Sequence, residues 1–61
     1  MTKEQHQGAL LFIDAIESDM ANNKTNLPAK IGIKMQLQQA IKSRDAKKAI
    51  EAVKKYHGLF A

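Results

Sequence analysis

The sequence predicts an all-α fold, a small three-helix bundle. Apolar residues recur at helical spacing in three segments, residues with turn and capping preferences separate these segments, and no stretch alternates like a strand. The expected helices cover about residues 3–21, 27–42 and 45–57. With 61 residues the chain forms a single domain, 1–61. Such a domain buries only about 60% of the surface of its unfolded chain, so its stability margin is small.

The first helix, expected over residues 3–21, begins with a capping signal. Thr2 and Gln5 have the spacing of a capping box, in which each side chain bonds the other residue's backbone N–H. Leu11 and Ala15 lie on one side of this helix, and Leu10 lies between them and the main apolar stripe. The helix is therefore apolar on more than one side. The stripe itself consists of Ala9, Phe12, Ile13, Ile16 and Met20.

The second helix, expected over residues 27–42, follows the break "ANNKTNLP" at 21–28. Asn26 or Thr25 is the expected cap, and Pro28 suits the first turn, where its missing N–H costs nothing. Its apolar residues cover about half of the circumference, so the helix is either central in the bundle or shared with another chain. They fall into two groups, Ile33, Leu37, Ala40 and Ile41 in one, and Leu27, Ile31 and Met35 in the other.

The third helix, expected over residues 45–57, shows the clearest pattern. Asp45 or Ser43 is the expected N-cap. Gly58 stands where a helix-ending glycine belongs, and Leu59 is expected to fold back in a Schellman-type stop, with Phe60 covering the end of the core. The expected core stripe consists of Ala46, Ala49, Ile50, Val53 and Tyr56.

Cysteine is absent, which excludes disulfides and thiolate zinc sites. Small domains without such cross-links often depend on a partner chain, so we expect a homo-oligomer, most simply a homodimer, or binding to another protein. The longest apolar run, "ALLFI" at 9–13, is far shorter than the roughly 18 residues of a membrane span. We therefore expect a cytoplasmic protein with no membrane partner.

Catalytic and cofactor chemistry is not expected from this sequence. The three glycines are scattered, so there is no phosphate-binding loop. His6 and His57 lie near opposite ends of the chain, and Ser18 and Ser43 have no histidine nearby in sequence. A core this small is expected to leave little room for a pocket of even about 300 Å³. These observations predict no enzyme, no catalytic residues, no metal, no cofactor and no small-molecule substrate.

Charge is distributed unevenly along the chain. Residues 1–23 contain one base and four acids, a net charge of −3, whereas residues 24–61 contain nine bases and two acids, a net charge of +7. The two parts either attract each other within the fold or draw an acidic partner to the basic side. Asp14, Glu17 and Asp19 are expected to form a solvated helix side.

Six bases are the candidate nucleic-acid contacts of a helix–turn–helix-like pair. Any surface helix is polar on its outer side, and lysine is a good helix former, so a solvated side is the favoured explanation of these bases. Base-reading helices use arginine, asparagine or glutamine, and here lysine dominates. Contact with phosphates, or with an acidic protein, remains as the alternative function. The six residues are Lys42, Arg44, Lys47, Lys48, Lys54 and Lys55.

The surplus of apolar residues leads to the first functional hypothesis, a small helical protein–protein interaction module. Contiguous apolar surface beyond the needs of the core usually marks a contact site. A core that wraps further round the helices is the alternative explanation. The small size suits a bacterial or bacteriophage regulator that binds and modulates a host protein. The expected interface residues are Leu10, Leu11, Ala15, Leu27, Ile31 and Met35.

Overall fold

The computed structural model describes residues 1–60 as three α-helices, α1 (Lys3–Asn22), α2 (Leu27–Lys42) and α3 (Ala46–Gly58). The all-α prediction and the three expected segments are confirmed. The helices form a compact bundle with a Cα radius of gyration of 11.0 Å. Helix α2 packs against both of the others, whereas α1 and α3 approach each other much less closely. Within residues 1–60 no helix is long and apolar enough to cross a membrane.

Two of the predicted helix caps are confirmed by their hydrogen bonds. The Thr2 N–H donates to Gln5 Oε1 at 2.8 Å, and the Gln5 N–H donates to Thr2 Oγ1 at 3.1 Å, which completes the capping box. Asp45 caps α3, because its Oδ1 accepts from the Lys48 N–H at 3.2 Å. Ser43 is not the cap of α3. Its hydroxyl donates back to the Gln39 carbonyl at 2.9 Å, at the end of α2.

Both interhelical turns depend on a residue with left-handed backbone geometry. Asn26, the N-cap of α2, has φ 59°, and its side chain makes no capping hydrogen bond. Arg44, in the turn between α2 and α3, has φ 56°. Asparagine tolerates this region because its short polar side chain bonds locally, whereas for arginine it is a strained conformation.

The buried apolar core consists of residues from the expected stripes of all three helices and one unexpected residue of α3. Ala52, rather than Ile50, occupies the fully buried position of α3. Ile50 was wrongly assigned to the core, since 51% of it is exposed. The buried apolar residues are Ala9, Ile13, Ile16, Ile33, Leu37, Ala40, Ala49 and Ala52, with Phe12, Met20, Ile41, Tyr56 and Leu59 among the half-buried ones packed against them.

The predicted Schellman stop at Gly58 is wrong. Gly58 is the last residue of α3 and has no positive φ, and Leu59 continues in right-handed geometry with φ −68°. The Leu59 N–H bonds the Tyr56 carbonyl and the Phe60 N–H bonds the His57 carbonyl, each at 3.1 Å, so the helix ends in a tightened turn. Phe60 is left mostly exposed and does not close the core.

Candidate functional site

An open groove of about 380 Å³ lies between the first halves of α1 and α3. Its floor is Leu37 of α2, and its walls include four small residues, Gly8 and Ala9 on α1 and Ala46 and Ala49 on α3. Because these side chains are short, they cannot meet across the gap. The expectation that so small a bundle leaves little room for a pocket of about 300 Å³ is therefore wrong.

The groove has apolar residues along both edges. On α3 the half-exposed Ile50 belongs to its wall. On α1 the ring of Phe12 lies edge-on to those of Tyr56 and His57, with centroids 5.4 and 5.9 Å apart, which marks the side that faces α3. An α-helix turns about 100° per residue, which places Ala15 about 60° and Leu11 about 100° from Phe12 around the axis of α1, towards solvent. Both are exposed, Leu11 to 69%, and they form an apolar ridge beside the groove.

The other predicted interface residues lie on a different side of the bundle. Glu17 and Lys34, whose Oε1 and Nζ are 3.7 Å apart, mark the outer seam between α1 and α2. Leu10 lies on the Glu17 side of α1, and Ile31 and Met35 lie beyond Lys34 on α2. All three are exposed and Leu27 is half-buried. The six predicted interface residues therefore divide between two surfaces, with only Leu11 and Ala15 beside the groove.

The six predicted nucleic-acid contacts are all exposed, but they do not form one patch. Lys55 donates to Gln36 Oε1 at 3.2 Å, so its side of α3 faces α2, and Lys48 lies two turns earlier on that side. Lys54 lines the groove, and Lys47 lies two turns before it. Glu51 lies between these two rows and divides the positive charge. Lys42 and Arg44 lie at the turn between α2 and α3.

A buried polar cluster joins all three helices at the other end of the bundle. Lys30 is only 1% exposed, and its Nζ lies 2.9 Å from Asp19 Oδ2. The Tyr56 hydroxyl donates to the same carboxylate oxygen. The Lys30 ammonium also faces the ring of Phe60, 5.6 Å from its centroid. One carboxylate of α1 thus holds a cation of α2 and a phenol of α3.

The cluster shifts the pKa values of two of its members. The hydrogen bond from Tyr56, followed by that from Lys30, lowers the pKa of Asp19 below its ordinary value of 3.8. Burial, followed by the hydrogen bond to Asp19, raises the pKa of Tyr56 to about 12. At neutral pH Asp19 is therefore ionised and Tyr56 protonated, which suits a structural ion pair with an added hydrogen bond.

Sequence reasoning missed this cluster. The interpretation of Asp14, Glu17 and Asp19 as one solvated side is wrong for Asp19, whose side chain is only 25% exposed. The available signal was the position of Lys30, which falls in register with the buried Ile33 and Leu37 of α2. A charge within an apolar stripe predicts an opposite charge on a neighbouring helix, because an unpaired ammonium is costly to bury.

Metal chemistry finds no support in the geometry of residues 1–60. No group of three or more His, Asp or Glu side chains in this range is placed to hold a metal ion. His57 is exposed and lies against Phe12. Comparison with models of protein families, with curated proteins and with solved structures returns no match to this chain.

Proposed function

We propose that this protein is a protein-binding module that takes an amphipathic helix into the groove between α1 and α3. The observation that carries the proposal is the open apolar groove itself, with Ile50 and Leu11 exposed at its two edges. Soluble proteins rarely leave contiguous apolar surface open to water without using it for contact. A regulator that docks on a larger host protein, bacterial or bacteriophage in origin, is the form of this function that we favour.

The shape of the groove supports a helix as the docked element. Helix-in-groove recognition buries apolar anchors at i, i+3, i+4 and i+7 of the incoming helix. Gly8, Ala46 and Ala49 keep the walls low, so a helix can approach the Leu37 floor closely. Each buried Å² of apolar surface contributes about 25 cal/mol, and Ile50 and Leu11 supply such surface at either edge.

Affinity capture with two matched variants tests the proposal. Ile50→Asp places a charge at the groove edge, and Met35→Asp places one on the α1–α2 side. Both residues are more than half exposed, 51% and 61%, so neither change disturbs the core. After nuclease treatment of the extract, we expect a partner protein to be retained by the wild type and by Met35→Asp and lost from Ile50→Asp. Retention by Ile50→Asp with loss from Met35→Asp would place the docking surface on α2 instead.

Nucleic-acid binding is the second candidate function, and one observation favours it. Within residues 1–60 none of the six exposed bases forms an ion pair with an acid, so no carboxylate of the described residues neutralises them. A mobility shift that weakens steeply with salt is expected, because each phosphate contact releases a counterion. Reversal of Lys47 and Lys48 to Glu should abolish the shift. Absence of any shift at about 50 mM salt ends this alternative, and binding of an acidic protein would instead survive nuclease treatment.

A further inference from the structure

We propose that the phosphate-contact surface of this protein is the end of the bundle where α1 begins and α2 turns into α3. The proposal rests on the second candidate function above, nucleic-acid binding, and gives it one location in place of six scattered bases. Helices α1 and α3 both begin at this end and α2 ends there. The Met1 nitrogen lies 3.4 Å from the Arg44 carbonyl, so residues 1–6 and 42–48 lie together.

Most of the net charge of the chain is concentrated at this end. Residues 1–6 and 42–48 contain five bases and two acids, a net charge of +3, whereas the other 48 residues contain five bases and four acids, a net charge of +1. One of the two acids, Asp45, is engaged within the fold, since its Oδ1 accepts from the Lys48 N–H at 3.2 Å. Such a concentration of one sign of charge attracts a polyanion to this end.

A cleft of about 270 Å³ at this end brings three bases together from two distant parts of the chain. Lys3 and His6 lie one turn apart on the same side of α1, and Arg44 comes from the turn between α2 and α3. Met1 and Thr2 complete the lining, which includes no acid among residues 1–60, and in that range neither Lys3 nor Arg44 forms an ion pair. Clefts for drug-sized molecules begin at about 300 Å³, so this one suits a smaller group such as a phosphate.

Arg44 has the side chain best suited to hold a phosphate in this cleft. It is the single arginine of the chain, and a planar guanidinium binds two phosphate oxygens at once, whereas lysine offers a point charge. Its left-handed backbone, φ 56°, is strained for an arginine, and glycine would remove that strain. An arginine kept at this position at a cost in stability fits a role of its guanidinium in binding.

A nucleic acid fits this surface through its phosphate backbone rather than its nucleobases. Lys42 and Lys47 lie on either side of Arg44 along the chain and both are exposed, so positive charge continues beyond the cleft. Successive phosphates of one strand can therefore meet successive cations. Residues 1–6 and 42–48 include no Phe, Tyr or Trp on which a nucleobase could stack. We expect binding that depends on salt and not on base sequence.

Two charge-matched double variants test the location. Lys3→Gln with Arg44→Gln removes two charges at the cleft, and Lys54→Gln with Lys55→Gln removes two from the later turns of α3, all at exposed positions. Fluorescence anisotropy follows binding to a labelled duplex of about 20 base pairs from about 50 to 200 mM salt. We expect the cleft variant to bind at least about tenfold more weakly, with a salt slope reduced by about 2, and the α3 variant to keep the wild-type slope.

Circular dichroism should show that both variants keep the helical content of the wild type. Lys3→Gln alone leaves the turn between α2 and α3 untouched and should still reduce the salt slope by about 1. Equal losses of affinity in the two double variants would refute this location and leave nucleic-acid binding standing. A wild type that does not bind at about 50 mM salt would refute the second candidate function and this location together.

Competition separates a nucleic acid from an acidic protein as the partner. Unlabelled duplex should displace the labelled duplex at a much lower charge concentration than polyglutamate, because a duplex carries one charge per about 1.7 Å of its axis, more densely than a peptide. Equal competition by polyglutamate would assign this surface to an acidic protein and overturn the proposal.

Discussion

The contacts between helices α1 and α3 differ at the two ends of the bundle. Beside the second half of α1, Asp19, Lys30 and Tyr56 form one polar cluster, and Phe12 lies against Tyr56 and His57. Beside its first half, α1 and α3 face each other only across an open groove floored by α2. One end is thus closed by directional contacts, whereas the other is left unfilled.

The difference shows that this bundle buries a charged side chain and leaves large apolar side chains exposed. The largest fully buried side chain belongs to Lys30, while Leu11 and Ile50 are exposed. A buried ion pair adds little net stability, because the cost of desolvating both charges offsets their attraction. The polar cluster joins the three helices by directional contacts, whereas the apolar residues of the open end stay exposed.

The largest expected effect on the free energy of unfolding comes from a comparison of two isoleucines, one at each end of the bundle. Ile16 is fully buried and Ile50 is half exposed. Ile16→Ala should destabilise the fold by about 2–4 kcal/mol, through lost burial and the cavity left behind, whereas Ile50→Ala should cost about 0.5 kcal/mol. Urea unfolding followed by circular dichroism measures both. Equal losses would show that the groove is closed in solution.

The next effect separates the two partners of the buried ion pair. Asp19→Ala leaves the Lys30 ammonium buried without its carboxylate, while Lys30→Met leaves a carboxylate that is 25% exposed and still bonded by Tyr56. Lys30→Met should therefore change stability by only about 1 kcal/mol, and Asp19→Ala should destabilise clearly more. Thermal melts of the two variants and the double variant check this order. A greater loss in Lys30→Met would contradict the structural role of the pair.

The polar cluster also predicts how stability depends on pH. The folded-state pKa of Asp19 is lowered, so its contribution is present above pH 3.8 and is lost as the pH falls below that value. The folded-state pKa of Tyr56 is raised to about 12, so its contribution is present below pH 10 and is lost as the pH rises from 10 towards 12. Tyr56→Phe should cost about 1 kcal/mol at neutral pH and remove the alkaline loss, since the ring stays and only the hydroxyl goes.

Unfolding at a series of pH values, wild type against Tyr56→Phe, isolates this contribution. Every other ionisable group is present in both proteins, so the difference between the two curves belongs to the hydroxyl. The difference should shrink at both extremes of pH. A difference that stays constant from acid to alkali would show that Tyr56 acts through packing alone.

The closed end and the groove differ in how far the sequence predicts them. The three helices, the Thr2 cap and the Asp45 cap follow from local spacing, which depends on the chain alone. Ile50 was placed in the core because its spacing fits the stripe of α3, yet the rotation of α3 in the bundle buries Ala52 instead. That rotation is set by packing between helices, which the period of one helix cannot reveal.

The groove could not be predicted from the sequence, for a related physical reason. A helical pattern shows which residues of one helix share a side, and Leu11 with Ala15 was recognised in this way. Whether two helices meet or stay apart depends on side chains from both, here Gly8 and Ala9 against Ala46 and Ala49. The pairing of Asp19 with Lys30 is likewise a contact between helices, although the position of Lys30 in its apolar stripe was a signal from which a charged partner could have been predicted.

The smallest expected effect concerns Arg44, which lies at the open end opposite Met1. Its left-handed backbone, φ 56°, strains a residue with a Cβ by about 1–2 kcal/mol, and glycine avoids this strain but loses more entropy on folding. Arg44→Gly should therefore stabilise the fold by about 0.5–1 kcal/mol, while Arg44→Lys, which keeps the Cβ, should change little. Asn26→Gly, at φ 59°, should gain less, because asparagine already tolerates this geometry. If Arg44→Gly destabilises, the arginine side chain contributes to the turn between α2 and α3.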